Sequence, residues 1–68
     1  MNATNSLQVG ALVEVKFMEA NGVIVSERWV AGIIEKINDQ NLYIKFLKPF
    51  GEYDQGWYRR IDFGRIWR

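Results

Sequence analysis

The sequence contains no cysteine, no histidine and a single proline. Without cysteine, no disulfide, iron–sulfur cluster or cysteine-ligated zinc can hold so short a chain together. Without histidine the commonest general base and the commonest metal ligand are missing, and with them any serine or cysteine pairing that relies on imidazole. No window approaches the ~20 apolar residues of a membrane span, and no basic-then-apolar leader opens the sequence. The expectation is a soluble, intracellular protein with no membrane partner. An excess of charge of one sign is also lacking: nine Lys and Arg stand against eight Asp and Glu, a net +1, which argues against indiscriminate electrostatic binding to nucleic acid. Aromatics, in contrast, are plentiful. Ten Trp, Tyr and Phe among 68 residues can supply the dense core that a domain burying only about 60% of its unfolded surface needs.

The longest apolar segment, Glu27 to Ile37, carries Trp29 and reads as the central strand, since both of its alternate faces are partly apolar and β-branched. Gly32 in its middle predicts a bulge or tight bend. Before it, residues 1–6 are polar and aperiodic and read as a disordered tail. The Asn2-Ala3-Thr4 sequon within that tail is taken as chance. Val13, Val15 and Phe17 alternate with Glu14 and Lys16 in a first strand, with a turn at Val9-Gly10 before it. Asn21-Gly22 is a turn signal; Val23 to Ser26 fits either a tight hairpin or one side of an open loop, and the loop is the expectation. Leu42 to Leu47 makes a third strand, Lys48 to Gly56 a decorated loop, Trp57 to Arg60 a fourth strand, Ile61 to Gly64 a single 3₁₀ turn, and Arg65 to Arg68 a closing fifth strand. Residues 7–68 are thus expected to form one all-β domain, a small five-stranded barrel with a short 3₁₀ turn before its last strand.

Val13-Glu14-Val15, Trp29 to Ile34, Leu42 to Phe46, Trp57 and Arg65-Ile66-Trp67-Arg68 together resemble the Tudor and Agenet branch of the Royal family of SH3-like barrels, over roughly residues 9 to 68. The resemblance implies a non-catalytic reader in a larger nuclear protein concerned with chromatin or regulation. Its partner would be a basic peptide, such as a histone tail, with methylated lysine or arginine. Carried over residue by residue, it implies an aromatic cage of Phe17, Trp29, Phe46 and Phe50 or Tyr53, with Glu52 or Asp54 as the acidic rim. A methylated ammonium has few N–H groups left to donate, so π faces and shape select it, at ~0.5–2 kcal/mol per contact. No cofactor, metal or catalytic residue is expected.

The residues also admit plainer readings. Alternation alone explains Phe17 and Phe46 as core, Trp29 stays open between core plug and ligand contact, and Trp57 and Trp67 are assigned to barrel closure. Phe50 and Tyr53, as loop aromatics beside glycine and acid, have no strand face to fill and point to binding. A second functional reading starts from the tail: residues 57–68 hold Arg59, Arg60, Arg65 and Arg68 against Asp62 alone, a local +3, while the rest of the chain is mildly acidic. Arginines interleaved with aromatics suit single-stranded nucleic acid, although a solvated edge strand accounts for them equally. A general protein-interaction barrel without methyl recognition, including a proline-peptide binder, remains on fold analogy alone. Glu52 and Asp54 are the carboxylate pair an enzyme would need, but on a loop with no histidine and no deep cleft.

Overall fold

The structure is a computed structural model and describes residues 7–68; the expected N-terminal tail and its sequon lie outside the described residues. Four strands, β1 (Leu12–Asn21), β2 (Ile24–Ile37), β3 (Asn41–Leu47) and β4 (Tyr53–Arg59), form one antiparallel sheet in the order β1-β2-β3-β4, followed by a 3₁₀ turn at Arg60–Asp62. Among the described residues no helix is long and apolar enough to cross a membrane.

Strand alternation assigns the core. Val15 faces Val30, Val13 faces Gly32, Gly32 faces Phe46, and Ile34 faces Ile44. These residues, with Leu42 and Trp67, are buried on one face of the sheet. The sheet curls around this inner face into a half-barrel. At the far edge the C-terminal residues return to β1: the Lys16 N–H donates to the Ile66 carbonyl (2.7 Å) and the Arg68 N–H to the Glu14 carbonyl (2.8 Å). Trp67 and Val15 form an antiparallel bridge there. The expected fifth strand over Arg65 to Arg68 is not formed among the described residues: Arg65 lies in a turn and only Trp67 makes this isolated bridge. Trp67, 1% exposed, donates its indole N–H to the Arg59 carbonyl at 2.8 Å, which satisfies the one polar atom of a buried ring.

Three expectations need correction. Asn21 and Ile24 are paired residues, so Val23 to Ser26 closes a tight hairpin and not a loop. Gly22 takes φ +68°, and among the described residues only glycines have positive φ, which fits the two-residue turn with glycine in the first central position. Among the described residues the hairpin's outer half pairs with no third strand, and Val23 at its tip is 98% exposed. Second, the bulge in β2 falls between Ile34 and Lys36, not at Gly32. Gly32 sits in regular register because the curled sheet leaves no room there: an added Cβ would stand 2.9 Å from Ile44 Cγ2, 3.1 Å from the Lys45 carbonyl oxygen and 3.2 Å from Phe46 Cβ. Third, β4 begins at Tyr53 and the loop before it is correspondingly short, because Tyr53 to Gly56 pair with Leu47 to Ile44.

Packing at Gly32 predicts that Gly32→Ala lowers unfolding free energy by about 1–3 kcal/mol in urea denaturation, as overpacked cores do. Gly56→Ala, whose new Cβ would meet only Tyr58 Cε1 at 3.9 Å, should cost clearly less. Equal costs at the two sites would refute the crowding explanation.

Candidate functional site

The β3–β4 loop is built to present a phenylalanine. The Gly51 N–H donates to the Lys48 carbonyl (2.9 Å) and the Lys48 N–H to the Glu52 carbonyl (2.7 Å). Pro49 supplies the fixed φ suited to the second residue of this turn, and Gly51 takes φ +93° after it. Phe50 is thereby held at the tip, 61% exposed, with its ring edge-on to Phe17 of β1 at 6.3 Å between centroids. Phe17 is half-buried and packs against the inner core.

Asp54 stands beside this pair. It is opposite Phe46 in register and so on the inner face of β4. Its Oδ1 accepts the Gln55 N–H at 2.8 Å, and its Oδ2 lies 3.7 Å from the Lys48 ammonium. That ammonium is also 5.6 Å from the centre of the Phe50 ring. An alkylammonium is thus held between a π face and a carboxylate, two complementary sources of attraction for a cation. Phe46 is buried behind them, edge-on to Tyr58 at 6.4 Å.

The expected cage is not assembled as one site. Phe17, Phe46, Phe50 and Asp54 meet at one end of the inner face. Trp29 is paired with Lys16, and Tyr53 with Leu47, which puts both on the outer face. The correction follows from the period of two: once β4 starts at Tyr53, Tyr53 and Asp54 must point to opposite sides. Trp29 is neither core plug nor open cage wall, since the Arg68 guanidinium covers its ring at 4.0 Å and the Lys16 ammonium lies 5.4 Å from the ring centre. Tyr53 is 66% exposed with Lys45 at 5.0 Å. Glu52 is an exposed loop residue. Trp57, expected to close the barrel, is instead 54% exposed and packs on Tyr43 of the outer face at 5.0 Å. The role expected for Trp67 matches its burial.

The four arginines do not form one basic surface. Arg59 is bound to Asp62 through Nε (3.0 Å) and Nη2 (3.3 Å), and Arg60 donates to the Asn38 carbonyl (3.0 Å). Arg68 pairs with Glu14 at 2.8 Å while covering Trp29, and Arg65 is exposed in the last turn. Lys48 and Tyr58 were missed as members of the inner-face cluster. Lys48 follows an alternating strand and precedes a turn, a position from which a long side chain can fold back, but its pairing with Asp54 depends on where β4 begins. Among the described residues no group of three or more carboxylates is placed to hold a metal ion. Comparison with known proteins finds no matching family model, no matching curated protein and no matching solved structure.

Burial first, and the Asp54 carboxylate second, raise the Tyr58 phenol above its ordinary pKa of 10.0. Above that pH the unfolded chain loses this proton before the folded one does. The fold therefore keeps its full stability below pH 10.0 and loses some as the pH climbs toward the raised value. In denaturant titrations across this range Tyr58→Phe should flatten the alkaline fall in stability; an unchanged slope would mean that Tyr58 ionises as freely in the fold as outside it.

Proposed function

We propose that this chain is a recognition module without catalytic activity, a five-stranded SH3-like barrel of Tudor or Agenet type that binds a peptide through a methylated lysine or arginine. What supports the barrel type is the antiparallel meander, the 3₁₀ turn after β4 and the return of Trp67 to β1. One observation carries the ligand class: the Lys48 ammonium lies against the Phe50 ring and Asp54, with Phe17 edge-on beside Phe50. A methylated ammonium would take the place of Lys48. The exchange favours it, because Lys48 is well hydrated when released, whereas a methylated cation has few hydrogen bonds to water to lose. Phe17 and Phe50 form the walls in this reading, Phe46 the floor and Asp54 the anionic rim, with Glu52 beside it in the loop. Trp29 and Tyr53 have no part. A histone-tail-like segment in a nuclear partner, read by this domain within a larger protein, is the ligand we favour.

Calorimetric titration with a trimethyl-lysine peptide and its unmodified counterpart tests the reading. The methylated peptide should bind more tightly. Phe50→Ala should weaken it about 2- to 30-fold, the equivalent of ~0.5–2 kcal/mol, and Lys48→Ala should tighten it by removing the internal competitor. Equal affinity for both peptides, or weaker binding by Lys48→Ala, would contradict the proposal.

A further inference from the structure

The outer face of the sheet carries a second arrangement that peptide reading leaves unused. Across β3 and β4, Asn41 pairs with Arg59, Tyr43 with Trp57, Lys45 with Gln55, and Leu47 with Tyr53. None of these eight residues is acidic. Tyr43 and Trp57 pack with rings 5.0 Å apart and tilted by 58°, and the Lys36 ammonium of β2 lies 5.3 Å from the Tyr43 ring centre. Lys45 stands likewise beside Tyr53. Tyr53 and Trp57 share this face four residues apart, about 13 Å along the strand, each largely open to solvent. Just beyond Trp57, at the end of β4, a cavity of about 300 Å³ is lined by Gln40, Asn41, Arg59 and Arg60, with Asp39 and Ile61 completing it. Arg59 uses Nε and Nη2 on Asp62, and Arg60 uses Nε on Asn38; both guanidinium groups keep further N–H donors. Glu35 at the β2 bulge, Asp39 and Asp62, which pairs with Arg59, are the acids near this face, and Lys36, Lys45 and Arg60 stand without a carboxylate partner among the described residues.

Cross-strand packing accounts for Tyr43 against Trp57. It does not account for the exposed Tyr53, nor for a strand pair free of acids on this face in a chain with eight of them. We propose that this face binds single-stranded nucleic acid. Bases stack on Trp57 and Tyr53, while phosphates run past Lys36 and Lys45 toward the Arg59 end, where the amides of Gln40 and Asn41 border the cavity. Charge complementarity names the occupant as a polyanion, and the aromatic surfaces require unpaired bases that can leave their own stack. The site lies on the opposite face from the ammonium site, and of the C-terminal arginines it uses Arg59 and Arg60 at the cavity but not Arg65 or Arg68.

Fluorescence anisotropy of a labelled dT12 oligonucleotide with the whole chain tests it. Binding should weaken with salt with a log–log slope of about −2, the value for three neutralised phosphates at roughly 0.7 each. Trp57→Leu should weaken binding about tenfold, Lys45→Gln should reduce both affinity and slope, and a duplex of equal length should bind less well. Circular dichroism verifies the fold of each variant, and Lys45→Gln keeps the test decisive if Trp57→Leu does not fold. No binding at low salt would overturn the proposal. So would equal affinity for duplex, loss that follows Arg65→Gln and Arg68→Gln instead, or sedimentation showing this face buried in a dimer. Methyl-peptide affinity is read separately, so the failure of either site leaves the other measurable.

Discussion

The fold depends on one tryptophan returning to the first strand. A four-stranded meander has two open edges, and its inner face becomes a core only when something closes it. Trp67 does this three ways: its ring fills the space between Val15 and the rest of the core, its indole N–H is satisfied by the Arg59 carbonyl, and its backbone neighbours bond to Glu14 and Lys16. The 3₁₀ turn sets up this return. Asp62, buried at the turn, is neutralised by Arg59, and the Asp62 carbonyl accepts the N–H groups of Arg65 and Ile66. Burying this carboxylate without its arginine would be costly. The arginines of the tail are thus largely structural, and their density in the sequence reflects the work of closing the sheet.

Closure divides the surface into two chemically distinct faces. At one end of the inner face, the Phe50 ring and the Asp54 carboxylate flank the Lys48 ammonium. The outer face of β3 and β4 sets the Tyr43 and Tyr53 rings beside the Lys36 and Lys45 ammonium groups. No aromatic belongs to both. The division follows from the alternation of side chains along a strand, so a shift of one residue in β4 would exchange Tyr53 with Asp54 and Trp57 with Tyr58, undoing both sites at once.

Much of the fold was legible because the core strands alternate cleanly. Val13 and Val15, and Leu42, Ile44 and Phe46, carry their burial in their spacing, and the absence of any helical period excluded other classes. Two features were not legible. The extent of β4 was hidden because Tyr53-Asp54-Gln55-Gly56 contains turn formers that pairing with β3 overrides. That one misreading placed Tyr53 in a loop, whereas it lies on the outer face of β4. The tightness around Gly32 was also invisible locally, since the atoms that exclude a side chain there belong to Ile44, Lys45 and Phe46 on another strand. At the candidate site, Phe50 stood out in the sequence as a loop aromatic, Phe17 and Asp54 entered only through the family resemblance, and Lys48 gained its meaning only once the loop geometry brought it over Phe50.

The central claim is that the inner-face end, and not the outer face, receives a methylated ammonium. A two-dimensional NMR map of the labelled chain with a trimethyl-lysine peptide tests it most directly. The account predicts shift changes concentrated at Phe17 and Lys48 to Phe50, with the Trp29, Tyr43 and Trp57 signals unmoved. Changes centred on Trp29, or on Tyr43 and Trp57, with Phe17 and Phe50 silent, would contradict it.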